Sequence, residues 1–303
     1  MSLQVHPMKN MNRKISKRER KKQVTSGLYI APSFLGVMLF FFIPFLVIIY
    51  YAFIDNPFSG QFVFFDNFAM VFRNAAFKKA AINTLTFSAV SVPLAVVLSL
   101  SLAILLDRKI PFRSQFRTFF LSPMMAPVAS IVLIWQVLFH YNGAVNDILV
   151  ALGGGKIDWI KSEYAQVVVV ILFLWKNLGY NMILFMAALA SVPKDILDVA
   201  KMESANAIQT FFYIKIRYLS STIVFVFIMS LINSFKVFRE VYLLTGDRPY
   251  DTLYMLQHYM NNMFKSLDYQ KLSAAAIIMA LVMIVIIGVL FVAENRFGKD
   301  VEG

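Results

Sequence analysis

The sequence predicts an all-α integral membrane protein with six transmembrane helices, and three observations indicate this fold class. Of the 303 residues, 59% are hydrophobic and only 15% are charged. A soluble domain of this length cannot bury so much apolar surface in one core. The apolar residues occur in runs of about 20, which as helices cross a hydrocarbon layer of about 30 Å. These runs are continuous, whereas barrel strands would alternate apolar and polar residues.

The six predicted spans follow one another along the chain with polar loops between them. They lie near Leu28–Phe53, Ala81–Leu106, Thr118–Phe139, Tyr164–Ala187, Tyr218–Val237 and Leu272–Ala293. Four of them carry no charge, while the fourth contains Lys176 and the fifth reaches Lys236 near its end. Four prolines, Pro44, Pro93, Pro123 and Pro127, lie inside spans or near their starts and predict kinks, because proline frees a backbone carbonyl.

Basic residues predict the orientation of the chain. Residues 1–27 form a basic N-terminal arm, and the second and fourth loops are also rich in Lys and Arg. By the positive-inside rule both termini, including the tail 298–303, and the loop 191–219 face the cytoplasm. The net charge of +12 is thus explained by topology and by contact of the arm with anionic lipid, and no nucleic-acid partner is expected.

The sequence contains no recognisable catalytic or metal site. It has no cysteine, and its three histidines stand alone without a second ligand at metal-binding spacing. Gly153–Lys156 lacks the spacing of a phosphate-binding loop. A membrane enzyme would need a cluster of His, Asp or Glu at a cavity, and none of the six runs has a carboxylate at its centre. An enzyme and a non-transporting scaffold are therefore retained only as alternatives.

Polar side chains within the fourth and fifth spans are the candidates for a solute path. The set comprises Lys176, Asn177, Asn181, Asn233, Ser234 and Lys236. Such groups are costly at membrane depth and usually face protein or a wet cavity, where they can bind a polar solute. The alternative for each residue is that it hydrogen-bonds neighbouring helices or extends its charge to an interface. A scaffold would not need these amides.

The loop between the fourth and fifth spans contains a polar segment, residues 198–219. It reads as an amphipathic surface helix with a turn of small residues at its centre, suited to docking a soluble partner. The sequence LWKNLGYNMILFMAALASVPKDILDVAKMESA enters this loop, and NSFKVFREVYLLTGDRP follows the fifth span. With these motifs the chain resembles, from Leu28 to Phe297, the carbohydrate-type permeases of ABC importers, the maltose-permease group.

The resemblance identifies this segment with the EAA coupling loop of that family. Asp198, Val199 and Ala200 take the EAA positions, Glu203, Ser204 and Ala205 those of DGA, and Phe211 the following aromatic position. The family places a short helix, here expected near Glu203–Thr210, in a cleft of an ATPase subunit. Two residues depart from the pattern: Ser204 replaces a glycine, which predicts strain in the turn, and Arg217 replaces a proline. The residues assigned to coupling are Asp198, Ala200, Glu203, Ser204, Ala205 and Phe211.

The resemblance also implies a type I ABC importer architecture, with residues 28–297 as the permease domain. Its partners would be a second permease, two ATPase subunits that bind ATP and Mg, and an extracytoplasmic binding protein. The chain itself would have no ATPase site and would lie in a bacterial or archaeal cytoplasmic membrane. The implied solute is a carbohydrate, most simply an oligosaccharide. A non-sugar or anionic solute such as a glycerol-phosphate ester is the alternative.

Overall fold

The computed structural model describes residues 17–108 and 110–297, so most of the predicted arm and the whole tail 298–303 lie outside the described residues. Within these ranges the chain is helical, apart from loops and an isolated antiparallel bridge between Ile54 and Phe62. The α-helices are α1 Lys17–Val37, α2 Ile43–Ala52, α3 Asp66–Arg73, α4 Ala75–Asp107, α5 Arg113–Met125, α6 Val128–Leu138, α7 Ala144–Ala151, α8 Ala165–Ala190, α9 Lys194–Met202, α10 Ala207–Gln209, α11 Ile216–Phe235, α12 Phe238–Thr245, α13 Leu256–Lys265 and α14 Tyr269–Phe297.

Five helical stretches are long and apolar enough to cross a membrane. They are Gly27–Ala52, Ala75–Asp107, Ala165–Ala190, Ala207–Thr245 and Tyr269–Glu294. The first joins α1 to α2 through a π-helical turn, and the fourth joins α10 to α11 through a second π-helical segment, Thr210–Lys215. These stretches match the first, second, fourth, fifth and sixth predicted spans, and the all-helical membrane fold is confirmed.

The third predicted span is broken into two helices, at the prolines that predicted a kink. Its two halves, α5 and α6, meet at an angle of 102°. Proline cannot donate a backbone hydrogen bond and disfavours helical geometry in the residue before it. Accordingly Ala126, which precedes Pro127, is extended at φ −80° and ψ 141°. Counted as one broken span, the pair brings the total to six.

The centre of the bundle is built around α4 and α8, against which α5 and α11 pack. Gly179 of α8 permits a close approach between α8 and α5. A Cβ atom at this position would lie 1.9 Å from the carbonyl oxygen of Phe120 and 2.5 Å from its carbonyl carbon. The backbones of α5 and α8 are therefore in direct contact, as small residues allow between membrane helices.

The outermost spans have little protein around them. In the most apolar part of Gly27–Ala52 no residue is buried inside the protein. In the most apolar part of Tyr269–Glu294 only 6% of the residues are buried. The two stretches contact each other where α2 packs on α14. Such uncovered apolar helices are suited to lipid or to another membrane subunit.

Candidate functional site

A cavity of about 630 Å³ lies where two helices are interrupted. One interruption is the α5–α6 bend, which contributes Met124, Ala126 and Val128, and the other separates α11 from α12. Gln257 of α13 completes one wall. The volume falls within the range of about 300–1,000 Å³ that is typical of ligand pockets. Interrupted helices with exposed polar backbone are the usual place for a solute site in a membrane transporter.

An ion pair crosses the cavity wall between Lys176 of α8 and Glu240 of α12. The side chains are 23% and 9% exposed. Sequence reasoning missed Glu240 because the carboxylate lies beyond the end of the fifth apolar run. In the structure α12 follows α11 after a break at Lys236–Val237 and returns this residue to the bundle. The signal available in the sequence was an acidic residue within the apolar segment that follows the run.

Four of the six path candidates line the cavity: Lys176, Asn177, Asn233 and Lys236. The two amides form a pair, since Nδ2 of Asn233 donates a hydrogen bond of 2.9 Å to Oδ1 of Asn177. Nδ2 of Asn177 in turn donates to the carbonyl oxygen of Phe173 at 2.8 Å. The structure therefore groups residues from α8 and α11 that are more than fifty positions apart in the sequence.

The other two candidates, Asn181 and Ser234, lie outside the cavity lining and are buried between helices. Nδ2 of Asn181 donates to Oγ of Ser230 at 2.9 Å, which joins α8 to α11. Oγ of Ser234 lies 2.8 Å from Oγ of Ser88, which joins α11 to α4. Their placement favours the helix-packing interpretation over contact with a solute.

Aromatic side chains form part of the cavity wall. Tyr180 and Phe238 line it, whereas Phe235 is buried in the apolar core and Trp175 packs against Trp135. The ring of Phe238 meets His258 of α13 edge to face, with centroids 4.7 Å apart. Burial lowers the pKa of His258 to about 4, so the imidazole is neutral at pH 7. A neutral ring behind Phe238 adds no charge to the cavity.

The segment after α9 forms a turn that we call the coupling turn, Glu203–Asn206. Ser204 has φ 58°, the left-handed conformation that the glycine of the family pattern adopts at low cost. Two backbone hydrogen bonds close the turn, from Ser204 to Lys201 at 3.0 Å and from Ala205 to Ala200 at 2.9 Å. The sequence predicted strain at Ser204, and the left-handed backbone of this residue is a conformation that costs a non-glycine residue free energy.

The helix expected near Glu203–Thr210 begins later than the sequence suggested. Glu203 caps the end of α9, and the next helix starts at Ala207, where Asn206 and Gln209 form a reciprocal capping box. From Ala207 the helix runs through the π-helical segment and Arg217 into α11. The left-handed Ser204 ends the first helix, and the Asn206 cap starts the second. Since Arg217 replaces proline, no break separates the turn from the fifth span.

The residues assigned to coupling divide by burial. Asp198, Glu203 and Ser204 are exposed, Ala205 and Phe211 are partly buried, and Ala200 is buried against the bundle. The exposed ion pair between Asp198 and Lys201, 2.8 Å apart, contributes little to stability. Two apolar side chains flank the turn in the open, Met202 at 84% and Ile208 at 69% exposure. Acidic and apolar side chains are thus both exposed in this part of the chain.

Comparison with known proteins identifies the family. The profile described as the binding-protein-dependent transport system inner membrane component matches residues 91–302. The chain belongs to this family. It is a multi-pass inner membrane permease subunit of an ABC importer and carries no ATPase of its own. Among the described residues no group of three or more metal-ligating side chains occurs.

Curated relatives match over nearly their whole length. The lactose transport system permease protein LacF of Rhizobium radiobacter is 26% identical over 93% of this chain and 98% of its own. The trehalose/maltose permease protein MalF of Thermococcus litoralis is 26% identical over 96% and 99%. The arabinooligosaccharides permease protein AraP of Bacillus subtilis is 27% identical over 97% and 96%.

Solved structures confirm the fold of the permease. A subunit of a bacterial ABC transporter that imports the polysaccharide alginate has a TM-score of 0.80 at 20% identity, over 94% of this chain and 99% of that chain. The same transporter in complex with an alginate-bound periplasmic protein gives 0.81 at 20% identity, over 93% and 98%. The type I importer architecture implied by the coupling-loop motif is thereby confirmed.

Proposed function

We propose that this permease forms half of the translocation path for a carbohydrate, with an oligosaccharide as the simplest solute. The relatives described above are named for lactose, trehalose/maltose and arabinooligosaccharides. The cavity supports the same solute class because it combines amides, ionic groups and aromatic rings. Sugar hydroxyls pair with the polar groups, and ring faces pack on the aromatics. These relatives argue against a non-sugar solute such as a glycerol-phosphate ester.

The helix that begins at Ala207 carries the mechanical part of this proposal. It connects the coupling turn at one end to Asn233 and Lys236 at the cavity, with no proline between. At about 1.5 Å per residue it is about 40 Å long from Ala207 to Phe235. A force applied at Glu203–Asn206 therefore reaches the cavity through one continuous element. This connection is the observation on which the coupling role rests.

The proposed partners follow from this arrangement. An ATPase subunit covers the coupling turn, with Asp198, Ala200, Glu203, Ser204, Ala205 and Phe211 as the contact or supporting residues. ATP and Mg are held by the two ATPase subunits. A second permease closes the cavity from the open side, and an extracytoplasmic binding protein delivers the solute. Residues 28–297 form the permease domain between the cytoplasmic arm 1–27 and the cytoplasmic tail 298–303, and the arm contacts anionic lipid.

The test of coupling uses the reconstituted complex with its cognate binding protein and a panel of carbohydrates. Glu203→Arg and Ala205→Trp should each abolish solute-stimulated ATP hydrolysis, because one reverses a docking charge and the other blocks close approach. Membrane insertion and permease pairing should remain intact. Glu163→Arg, at an exposed site on another loop, should leave stimulation unchanged. Normal stimulation in both turn variants would contradict the coupling role.

A further inference from the structure

The cavity lining carries more positively charged than negatively charged side chains. Three cationic side chains line it, Lys176, Lys236 and Arg239, against the single carboxylate of Glu240. Glu240 is already paired with Lys176. Within residues 17–108 and 110–297, neither Lys236 nor Arg239 forms an ion pair or a side-chain hydrogen bond. The cavity therefore retains two cations that its own residues leave uncompensated.

Two features of the surroundings strengthen the effect of this charge. The wall between the polar groups is apolar, with Leu172, Phe173 and Met229 contributing to it. Low-dielectric walls focus the potential of fixed charges and raise the local concentration of ions of the opposite sign. In addition, α6 begins at Val128 beside the cavity and has no side-chain cap. The uncapped start of a helix adds a positive partial charge to the same region.

We propose that the cavity selects an anionic carbohydrate, an oligosaccharide whose rings carry carboxylate groups as in hexuronic acids. The inference rests on the proposed function and names its solute class more narrowly. Lys236 and Arg239 receive the carboxylates, Arg239 through its two-pronged guanidinium. The Asn177–Asn233 pair and the Lys176–Glu240 pair contact the hydroxyls, and Tyr180 and Phe238 pack on the rings. A neutral sugar fits the same cavity but leaves both cations without a partner.

A carboxylate from the second permease is the competing way to neutralise these cations. Lys236 and Arg239 are exposed in the isolated subunit, so a facing subunit can reach them. In that case the assembled cavity would be neutral, and uncharged sugars would bind at least as well as uronates. The two cases therefore differ in the charge preference of the assembled complex.

The experiment measures sugar binding to the intact permease–ATPase complex in nanodiscs, without the binding protein, by equilibrium dialysis. The probes are digalacturonate and the neutral galactobiose, which differ in their carboxylates. We expect digalacturonate to bind at least about tenfold more tightly than galactobiose. Its affinity should fall as the salt concentration is raised, because salt screens exposed charges. Equal binding, preference for galactobiose, or no binding of digalacturonate would overturn the proposal.

Single substitutions test which residues cause the preference for the anionic sugar. Lys236→Gln and Arg239→Gln should each lower digalacturonate affinity several-fold more than they lower galactobiose affinity, because only digalacturonate loses an ion pair. Lys161→Gln, which removes an exposed cation outside this cavity, is the matched control and should change neither affinity. A similar loss for both sugars would assign the two residues to packing and overturn the inference. The proposed function fails separately, if no carbohydrate loaded on the binding protein stimulates ATP hydrolysis.

Discussion

The cavity and the coupling turn satisfy their polar groups in opposite ways. In the cavity, Lys176 is paired with Glu240 and Asn233 with Asn177, all within one chain. At the coupling turn, Glu203 is exposed and the apolar Met202 is 84% exposed. The cavity wall is thus largely organised within one chain, whereas the turn presents an exposed surface, which we propose an ATPase subunit covers.

The backbones of the cavity and of the coupling turn also differ in how closely they are packed. Around the cavity the backbones of α5 and α8 touch at Gly179, which leaves no room for a side chain. At the turn, Ser204 holds an unfavourable left-handed conformation with open space around it. Close packing makes the first region intolerant of change, and exposure makes the second tolerant. Three predictions test this contrast, beginning with the largest expected effect.

Gly179→Ala should cause the most severe loss. The new Cβ would overlap backbone atoms of Phe120, so α5 must move away from α8 and distort the bend beside the cavity. Overpacking of this kind costs about 1–3 kcal/mol and sometimes more. Thermal unfolding of the purified complex should show a lowered midpoint and reduced permease pairing. Gly288→Ala in α14 is the control, because nothing lies within 4 Å of its added Cβ. An equal response in both variants would refute the close-packing account.

Alanine substitution of Asn233 should impair transport, whereas alanine substitution of Asn181 should lower stability. Asn233→Ala removes a cavity amide and should lower uptake about tenfold through loss of hydrogen bonds to solute, with little change in unfolding temperature. Asn181→Ala leaves the buried Ser230 hydroxyl without its partner and should cost about 1 kcal/mol of stability. Uptake per assembled complex should then remain near normal. The assignment of Asn233 to the path would be withdrawn if its variant transports normally.

Ser204→Gly should have the smallest effect and the opposite sign. Left-handed backbone costs a non-glycine residue roughly 1–2 kcal/mol, and glycine loses part of that gain through its greater freedom in the unfolded chain. A net stabilisation of up to about 1 kcal/mol is expected in thermal unfolding. The control is Ser191→Gly. Ser191 is also exposed, but its φ of −84° is ordinary for any residue, so glycine at this position should lower the unfolding temperature. Two shifts of the same sign would exclude strain at Ser204 as the cause.

The sequence was most informative where one run of residues determines the outcome. Apolar runs located five continuous helical stretches because each run alone satisfies its backbone and faces lipid. The motif around Asp198 predicted a turn of small residues, which the structure has at Glu203–Asn206, and the Ser204 departure marked its left-handed residue. In the third span the prolines predicted a kink but not its size, because a proline can kink a membrane helix slightly or break it. The angle of 102° is given only by the structure.

By itself, the sequence determined the membrane fold, the polar positions within the spans and the lack of a phosphate-binding loop at Gly153–Lys156. Only the tertiary structure decided which polar residues meet a cavity and which join helices. Asn177 and Asn181 are four residues apart on α8, yet one lines the cavity and the other is buried against Ser230. Only the fold brings Glu240 back to Lys176. Helix periodicity places a side chain on a face, but the element that covers that face is set by packing between segments distant in sequence.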